Sequence, residues 1–189
     1  MKNGDMKEKL FNSLIELMYD KPLDKITVRQ IAEHCGVTTQ TFYNHFSDKY
    51  EITHWAYQKR VDRLLKELVE ERITFEEFLN QYLADYMYNS RYILNAVANT
   101  SGEDSYCTKG GRYFCSAIER EMCLKLKVDE LPQEYKLLIK MWVGGFSNLI
   151  LVWLSNPNDI SQEEMVKALV ESVPQKLKDI YEGKTKLEK

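Results

Sequence analysis

Four times along this chain a Ser, Thr or Asp stands three residues ahead of a Glu or Gln and opens an apolar-periodic stretch. The pairs are Thr27 and Gln30, Asp48 and Glu51, Thr74 and Glu77, and Ser161 and Glu164. In such a pair the first side chain accepts an orphan N–H in the first helical turn and the second reaches back to the cap, so each pair marks a helix start. Breakers are few between these starts, with 4 Pro and 8 Gly in 189 residues. A turn-rich sandwich or barrel has little room in such a chain, and an all-α fold of about nine helices is predicted. A hydrophobic fraction of 44% with 29% charged residues is that of a globular chain able to bury a core.

Met6, Leu10, Leu14, Leu17 and Met18 share a helical face, and Lys21-Pro22 ends that helix near Asp20. A second helix follows the Thr27 cap and stops at Gly36, a residue suited to the positive φ past a helix end. A third begins near Thr38, so only Cys35 to Val37 or Thr38 separates them, the short joint of a helix-turn-helix. After Asp48, the apolar series Ile52, Trp55, Ala56, Val61, Leu64, Leu65 and Leu68 carries a long helix to about Glu71. The organisation predicted is a head at residues 1–48, a linking helix at 49–71 and a body at 72–189.

In the body, Thr74 caps a helix with Phe75, Phe78, Leu79, Tyr82, Leu83, Tyr86 and Met87 on a broad apolar face. Arg91 to Asn99 reads as a short helix, the polar, glycine-containing Ser101 to Gly111 as a loop or frayed turn in which Gly110-Gly111 breaks any helix, and Tyr113 to Leu126 as helix again. Pro132 opens an apolar helix to Leu154, Asn156-Pro157-Asn158 ends it, and Pro174 kinks or restarts the helix capped by Ser161. Gly183 to Lys189 reads as a frayed tail. The apolar stretch Met141 to Leu154 is 14 residues, short of the roughly 20 that span a bilayer. With no signal-peptide pattern at the N-terminus, a cytoplasmic location with reduced thiols is expected. Cys107, Cys115 and Cys123 recur every eight residues without metal-ligand spacing; they are inert thiols or, alternatively, a redox sensor.

The net charge of −3 divides unevenly. Residues 1–66 hold 11 Lys and Arg against 9 Asp and Glu, and residues 67–189 hold 15 against 20. A small basic excess permits a nucleic-acid-binding head without establishing one. Enzyme chemistry has little support: there is no Gly-rich phosphate loop, HExxH or GxSxG, and His34, His45 and His54 all fall in the head or its linking helix. Neither a cofactor nor a metal is expected.

Residues 27–49 read TVRQIAEHCGVTTQTFYNHFSDK. Ile31, Val37, Phe42 and Phe46 can pack helix two on helix three, leaving Thr38, Thr39, Gln40, Thr41, Tyr43, Asn44 and His45 on or near the outer surface. Gln can bond the N6/N7 edge of adenine and a Thr methyl can touch that of thymine. Thr-x-x-x-Ile-Ala, Gly-Val at the turn, Thr-Phe-Tyr-x-His-Phe and a following Lys resemble the DNA-binding signature of the TetR family of bacterial transcription regulators. That resemblance implies base-reading positions for Arg29, Thr39, Gln40 and Thr41, and phosphate-positioning ones for Thr27, Tyr43, Asn44, His45 and Lys49. A core role for Tyr43, a satisfied structural role for His45 and a merely solvated Lys49 are the alternatives.

The same resemblance implies a homodimer on a pseudo-palindromic DNA operator, an interface built from about Pro132 to Leu154 and Gln162 to Tyr181, and a small-molecule cavity in the body. Tyr82, Tyr86, Phe114, Trp142 and Phe146 are the candidate ligand-binding residues, with plain core packing as the alternative. No buried charged cluster is evident, which favours a neutral or aromatic effector. Gly144-Gly145 inside an apolar helix costs about 1 kcal/mol per Gly against Ala, and a close subunit contact is the expected offset. GGFSNLILVWL and THWAYQKR also resemble a subgroup that includes regulators of dihydroxyacetone-kinase operons. The function implied is a ligand-released repressor; the alternatives are an activator or partner-dependent regulator, or an interaction module that has lost DNA binding.

Overall fold

Every one of the four predicted caps forms in the computed structural model, which describes residues 3–88, 90–98, 105–156 and 158–185. Thr27 with Gln30 and Ser161 with Glu164 close reciprocal capping boxes. Thr74 N donates to Glu77 at 2.7 Å and Glu77 N donates to Thr74 Oγ1 at 3.1 Å. Asp48 accepts from the N–H groups of Tyr50 and Glu51, both at 2.8 Å. Its partner Glu51 deviates from the reciprocal pattern and takes the N–H of Ser47. Each bond satisfies a donor that the first helical turn leaves without an intrahelical partner.

The helices are α1 (Asn3–Asp20), α2 (Val28–His34), α3 (Thr39–Tyr43), α4 (Lys49–Val69), α5 (Phe75–Tyr88), α6 (Ser90–Ala98), α7 (Tyr106–Leu126), α8 (Gln133–Ser155), α9 (Gln162–Ser172) and α10 (Gln175–Tyr181). A 3-10 turn, Leu23–Lys25, joins α1 to α2, and no strand occurs among the described residues. The sequence predicts about nine helices. The tenth arises at Pro174, which restarts the last helix as α10 and takes the position before its first turn, where a missing N–H costs nothing.

Ser101 to Gly111 is predicted as a loop, and here the structure differs. Residues 101–104 lie outside the described set, but Ser105 caps α7 by accepting the N–H of Thr108 at 3.1 Å, and the helix passes through Gly110-Gly111 without a break. Tertiary contact overrides propensity at this point. A Cβ on Gly110 would stand 3.5 Å from the Tyr57 ring, an ordinary van der Waals contact, so α7 packs on α4 at this point and the packing holds the helix through the glycine pair. Asn99 and residues 186–189 of the expected tail also fall outside the described residues.

The head packs Leu10, Leu14 and Met18 of α1, Ile31 and Ala32 of α2, and Phe42 and Phe46 into one core. α4 enters that core with Ile52, and its later residues Val61, Leu64, Leu65 and Leu68 lie in the body. It is therefore shared by both halves. α8, at 23 residues, is longer than the apolar stretch read from sequence, and by length and composition alone it could cross a membrane. Its Tyr135, Ile139, Val143, Phe146, Ile150 and Trp153 are buried against the rest of the body, as in the central helix of a helical domain.

Candidate nucleic-acid interface

The turn between α2 and α3 is fixed by its backbone. Gly36 takes φ +71°, and Val37 N donates back to Ala32 O at 2.9 Å, closing α2. Thr38 then caps α3: its Oγ1 accepts from Thr41 N at 3.1 Å and pairs with Thr41 Oγ1 at 3.0 Å. α3 is short, but Asn44 N bonds to Gln40 O and Phe46 N to Phe42 O, each at 3.0 Å, so the helical path continues one residue group past Tyr43. Phe42, fully buried, anchors it, with Phe46 at 6.1 Å between ring centroids and Trp55 of α4 a further 5.8 Å from Phe46.

This anchoring decides which side chains face outward. Thr27, Arg29, Thr38, Thr39, Gln40, Tyr43 and Asn44 are exposed, and Thr41 is half-buried. Tyr43 is 55% exposed, which removes the core alternative for it. Gln40 Nε2 donates to Asn44 Oδ1 at 3.2 Å, a pairing along the outer face. Arg29 is paired with Glu33 at 2.7 Å, one turn away, and that carboxylate raises the guanidinium pKa. Thr27 is used as a cap, so its hydroxyl is a structural group first.

His45 and Lys49 sit differently from the arrangement the resemblance implies. His45 is half-buried, and its Nδ1 is turned inward with no hydrogen-bond partner among the described residues. The Lys49 ammonium donates to the carbonyls of Leu23 at 2.7 Å, Asp24 at 2.9 Å and Ile26 at 2.8 Å. Those three bonds use its three protons, so it acts as a clamp on the turn between α1 and α2 in place of a free phosphate-binding group. Burial lowers its pKa, with Asp24 and Asp48 pulling the other way.

In the body, the five candidate ligand residues do come together. The Tyr82 ring stacks on Tyr86 at 4.8 Å and on Phe114 at 5.5 Å and lies 5.3 Å from Phe146, which is 5.0 Å from Trp142. They enclose little space. A void of about 30 Å³ touches Tyr82, Tyr86 and Phe146, and another of about 10 Å³ touches Phe114 and Trp142. A cavity open to a sizeable effector is thus not what the rings form in this state; they are packed core, with room for about one water. Their polar tips find partners: Tyr57, Tyr82 and Tyr86 join hydroxyls at 3.1 Å, and Trp142 Nε1 donates to Ser172 at 3.1 Å.

A larger concavity than these voids lies elsewhere among the described residues, between α1, α4 and α7, and the sequence pattern does not mark it. It is a cleft of about 850 Å³ whose walls include Lys7 of α1, His54 and Trp55 of α4, and Lys109, Arg112 and Tyr113 of α7. The signal is absent from the linear pattern because Lys109 falls in the segment that reads as a loop. Below the cleft, Arg120 of α7 bonds Asp62 of α4 at 3.0 Å, and burial of Tyr113, with its hydrogen bond to the same carboxylate, pushes its pKa up to about 12. Cys107, Cys115 and Cys123 all lie on the unbroken α7, and burial raises each thiol above its ordinary pKa, away from the reactive thiolate form.

Residues 7–54 match the tetR family of bacterial regulatory proteins. No curated protein matches the chain in sequence. Among solved structures, a tetR-family transcriptional regulator from Streptomyces coelicolor superposes with a TM-score of 0.65 at 17% identity, covering 97% of this chain and 89% of that one. A TetR transcriptional regulator from Streptococcus agalactiae 2603V gives 0.59 at 20% identity, with 90% and 94% covered. The dihydroxyacetone kinase operon activator DhaS gives 0.61 at 15% identity, with 92% and 96% covered. The helix-turn-helix head thus matches the tetR family of bacterial regulatory proteins over residues 7–54, and over nearly its whole length the chain takes the fold of the regulators it superposes on.

Proposed function

We propose that this chain is a homodimeric, ligand-responsive transcription regulator that binds a palindromic DNA operator through α2 and α3. The observation that carries this reading is the exposed row Thr38, Thr39, Gln40, Tyr43 and Asn44, held on a helix whose only buried side chain is Phe42. Nothing in the packing requires polar types at Thr39 or Gln40, and they are short donors and acceptors suited to a major groove. Arg29, Thr39, Gln40 and Thr41 read bases; Thr27, Tyr43, Asn44 and the half-buried His45 position the backbone. Lys49 contributes by holding the start of α2 in place.

Two copies would present two such helices to half-sites about one turn, roughly 34 to 36 Å, apart. The subunit contact proposed is the outer stripe of α8, where Leu137, Met141, Gly144, Gly145 and Val152 are exposed. A small molecule acts by fitting one head spacing better than the other, worth about 1 to 3 kcal/mol of coupling. An effector entering at Tyr82, Tyr86, Phe114, Trp142 and Phe146 must part rings that are now in contact. Repression relieved by the effector is the default sign. The DhaS neighbour, described as an activator, keeps activation as the second reading.

A gel shift on the DNA upstream of the chain's own gene tests the proposal. Specific binding is expected, with Gln40→Ala relaxing sequence preference by about 1 to 3 kcal/mol at its cognate base. Binding that is absent, or indifferent to sequence in the unaltered protein, would leave only an interaction module. Transcription from the bound promoter with and without the protein then reads the sign.

A further inference from the structure

We propose that Glu33, a residue of α2 outside the set of contact residues named above, determines specificity by holding Arg29 for a base edge and cancelling its charge toward the DNA backbone. The helix-turn-helix from Thr27 to Phe46 carries one Lys or Arg, Arg29, and one Asp or Glu, Glu33. The two are bonded to each other, with Arg29 Nε donating to Glu33 Oε1 at 2.7 Å. The cations at its edges are engaged as well. Lys25 lies 3.4 Å from Asp24, and Lys49 gives its three protons to carbonyls. The recognition row from Thr38 to Asn44 is neutral throughout. A surface of this kind has little of the unpaired positive charge that draws a protein to any phosphate backbone.

Position and atom choice decide what the pair does. Residues four apart share a helix face, and both side chains are well exposed, at 79% and 60%. A pair so exposed contributes little to stability, so the fold does not require it. His34, the next residue, turns to a different neighbour, with Nε2 3.6 Å from Glu16 of α1, and Ile31 and Ala32 are buried. The edge that carries Arg29 and Glu33 is therefore the outward one. The carboxylate takes Nε–H, and this bond leaves the Nη fork, the part of the side chain that pairs with the O6 and N7 acceptors of guanine. A carboxylate behind the fork limits the swing of a flexible side chain and repels phosphates within reach. Both effects favour a base edge over the backbone. This role rests on α2 and α3 meeting DNA, as proposed above.

The test measures Kd across a salt series for two duplexes, the DNA upstream of the chain's own gene and a scrambled duplex of the same length and composition. For Glu33→Gln, binding to the scrambled duplex is expected to tighten severalfold at low salt. Its salt slope should be steeper by about 1 per subunit, and the ratio of specific to scrambled affinity should fall about tenfold. Arg29→Gln with Glu33→Gln is expected to return scrambled binding and its slope to those of the unaltered protein, because the pair is again neutral. An unchanged ratio and slope in Glu33→Gln, or a rise on the scrambled duplex that persists in the double variant, overturns the role of Glu33 and leaves DNA binding standing. An unaltered protein that does not distinguish the two duplexes overturns both. Thermal melts establish that each variant is folded, and Glu33→Ala replaces Glu33→Gln if that one is not.

Discussion

The Lys49 ammonium lies 2.8 Å from the carbonyl oxygen of Ile26, one residue before the cap of α2. Its other two bonds, to Leu23 and Asp24, go to the same short turn, so the first residue of α4 fixes the entry to the helix-turn-helix. A lysine in that arrangement affects DNA binding through position. Lys49→Met keeps the apolar stem and removes the three bonds. It is expected to lower the stability of the protein by about 1 to 2 kcal/mol, since the partly exposed carbonyls regain water. Specific DNA affinity should fall with it while the salt slope stays unchanged. Thermal melts and operator binding across a salt series check this; a slope lowered by about 1 with an unaltered melt would mean a phosphate contact instead.

Much of the head is legible from the sequence because its determinants are local. The Thr27–Gln30 cap, the Gly36 turn and the Phe42 anchor each involve residues a few positions apart. The body is less legible, because what matters there joins distant segments. Gly110 reads as a helix breaker until Tyr57 is known to lie against it. The five candidate aromatic residues do share one cluster, but spacing along helices cannot distinguish a ring-lined cavity from rings in contact. Lys49 shows the limit in the head: its partners are 23 to 26 residues away, and no local pattern marks them.

Acid should act on the helix starts. Backbone N–H groups hold the carboxyls of Glu51 and Glu77 below their ordinary pKa, with Ser47 and Thr74 as the donors, and the Ser161 hydroxyl does the same for Glu164. A carboxyl depressed on folding stabilises the folded state above its unfolded pKa, and that contribution is lost as pH falls through the lower folded value. The window therefore opens below about pH 4.3, the ordinary glutamate value. Glu77→Ala with Glu164→Ala is expected to melt lower than the unaltered protein at pH 6, with the gap narrowing toward pH 3. Parallel melting curves across that range would count against the caps as the source.

Tyr57, Tyr82 and Tyr86 form a buried hydroxyl cluster spanning α4 and α5. Desolvation raises the pKa of Tyr57 and Tyr82 well above the ordinary value, so these hydroxyls stay protonated and their hydrogen bonds stay neutral. Removing one member leaves buried polar groups short of a partner, while removing all three takes the need away. Tyr57→Phe and Tyr82→Phe are each expected to cost about 1 kcal/mol or more, and the triple Phe variant less than the sum of the three single losses. Chemical denaturation of the singles and the triple reads this directly. Simple additivity would mean that the hydroxyls contribute separately.

Gly144 and Gly145 present an open question within one subunit that a second subunit would answer. A Cβ at either position would meet nothing within 4 Å among the described residues, so no contact among them demands glycine there. In a helix interior each glycine gives up about 1 kcal/mol relative to Ala. Both sit beside Met141, 75% exposed, with Leu137 and Val152 continuing the stripe toward either end of α8. Close approach of a second helix is the arrangement that offsets the loss, because small residues let backbones meet where larger ones would hold them apart. If α8 forms the proposed subunit contact, Gly144→Leu and Gly145→Leu are expected to leave the helical content of the subunit intact and to abolish the proposed dimer. Light scattering with circular dichroism on both variants separates the two effects. A persistent dimer in both would remove this stripe from the subunit contact, and a loss of helix would place the need for glycine inside the subunit.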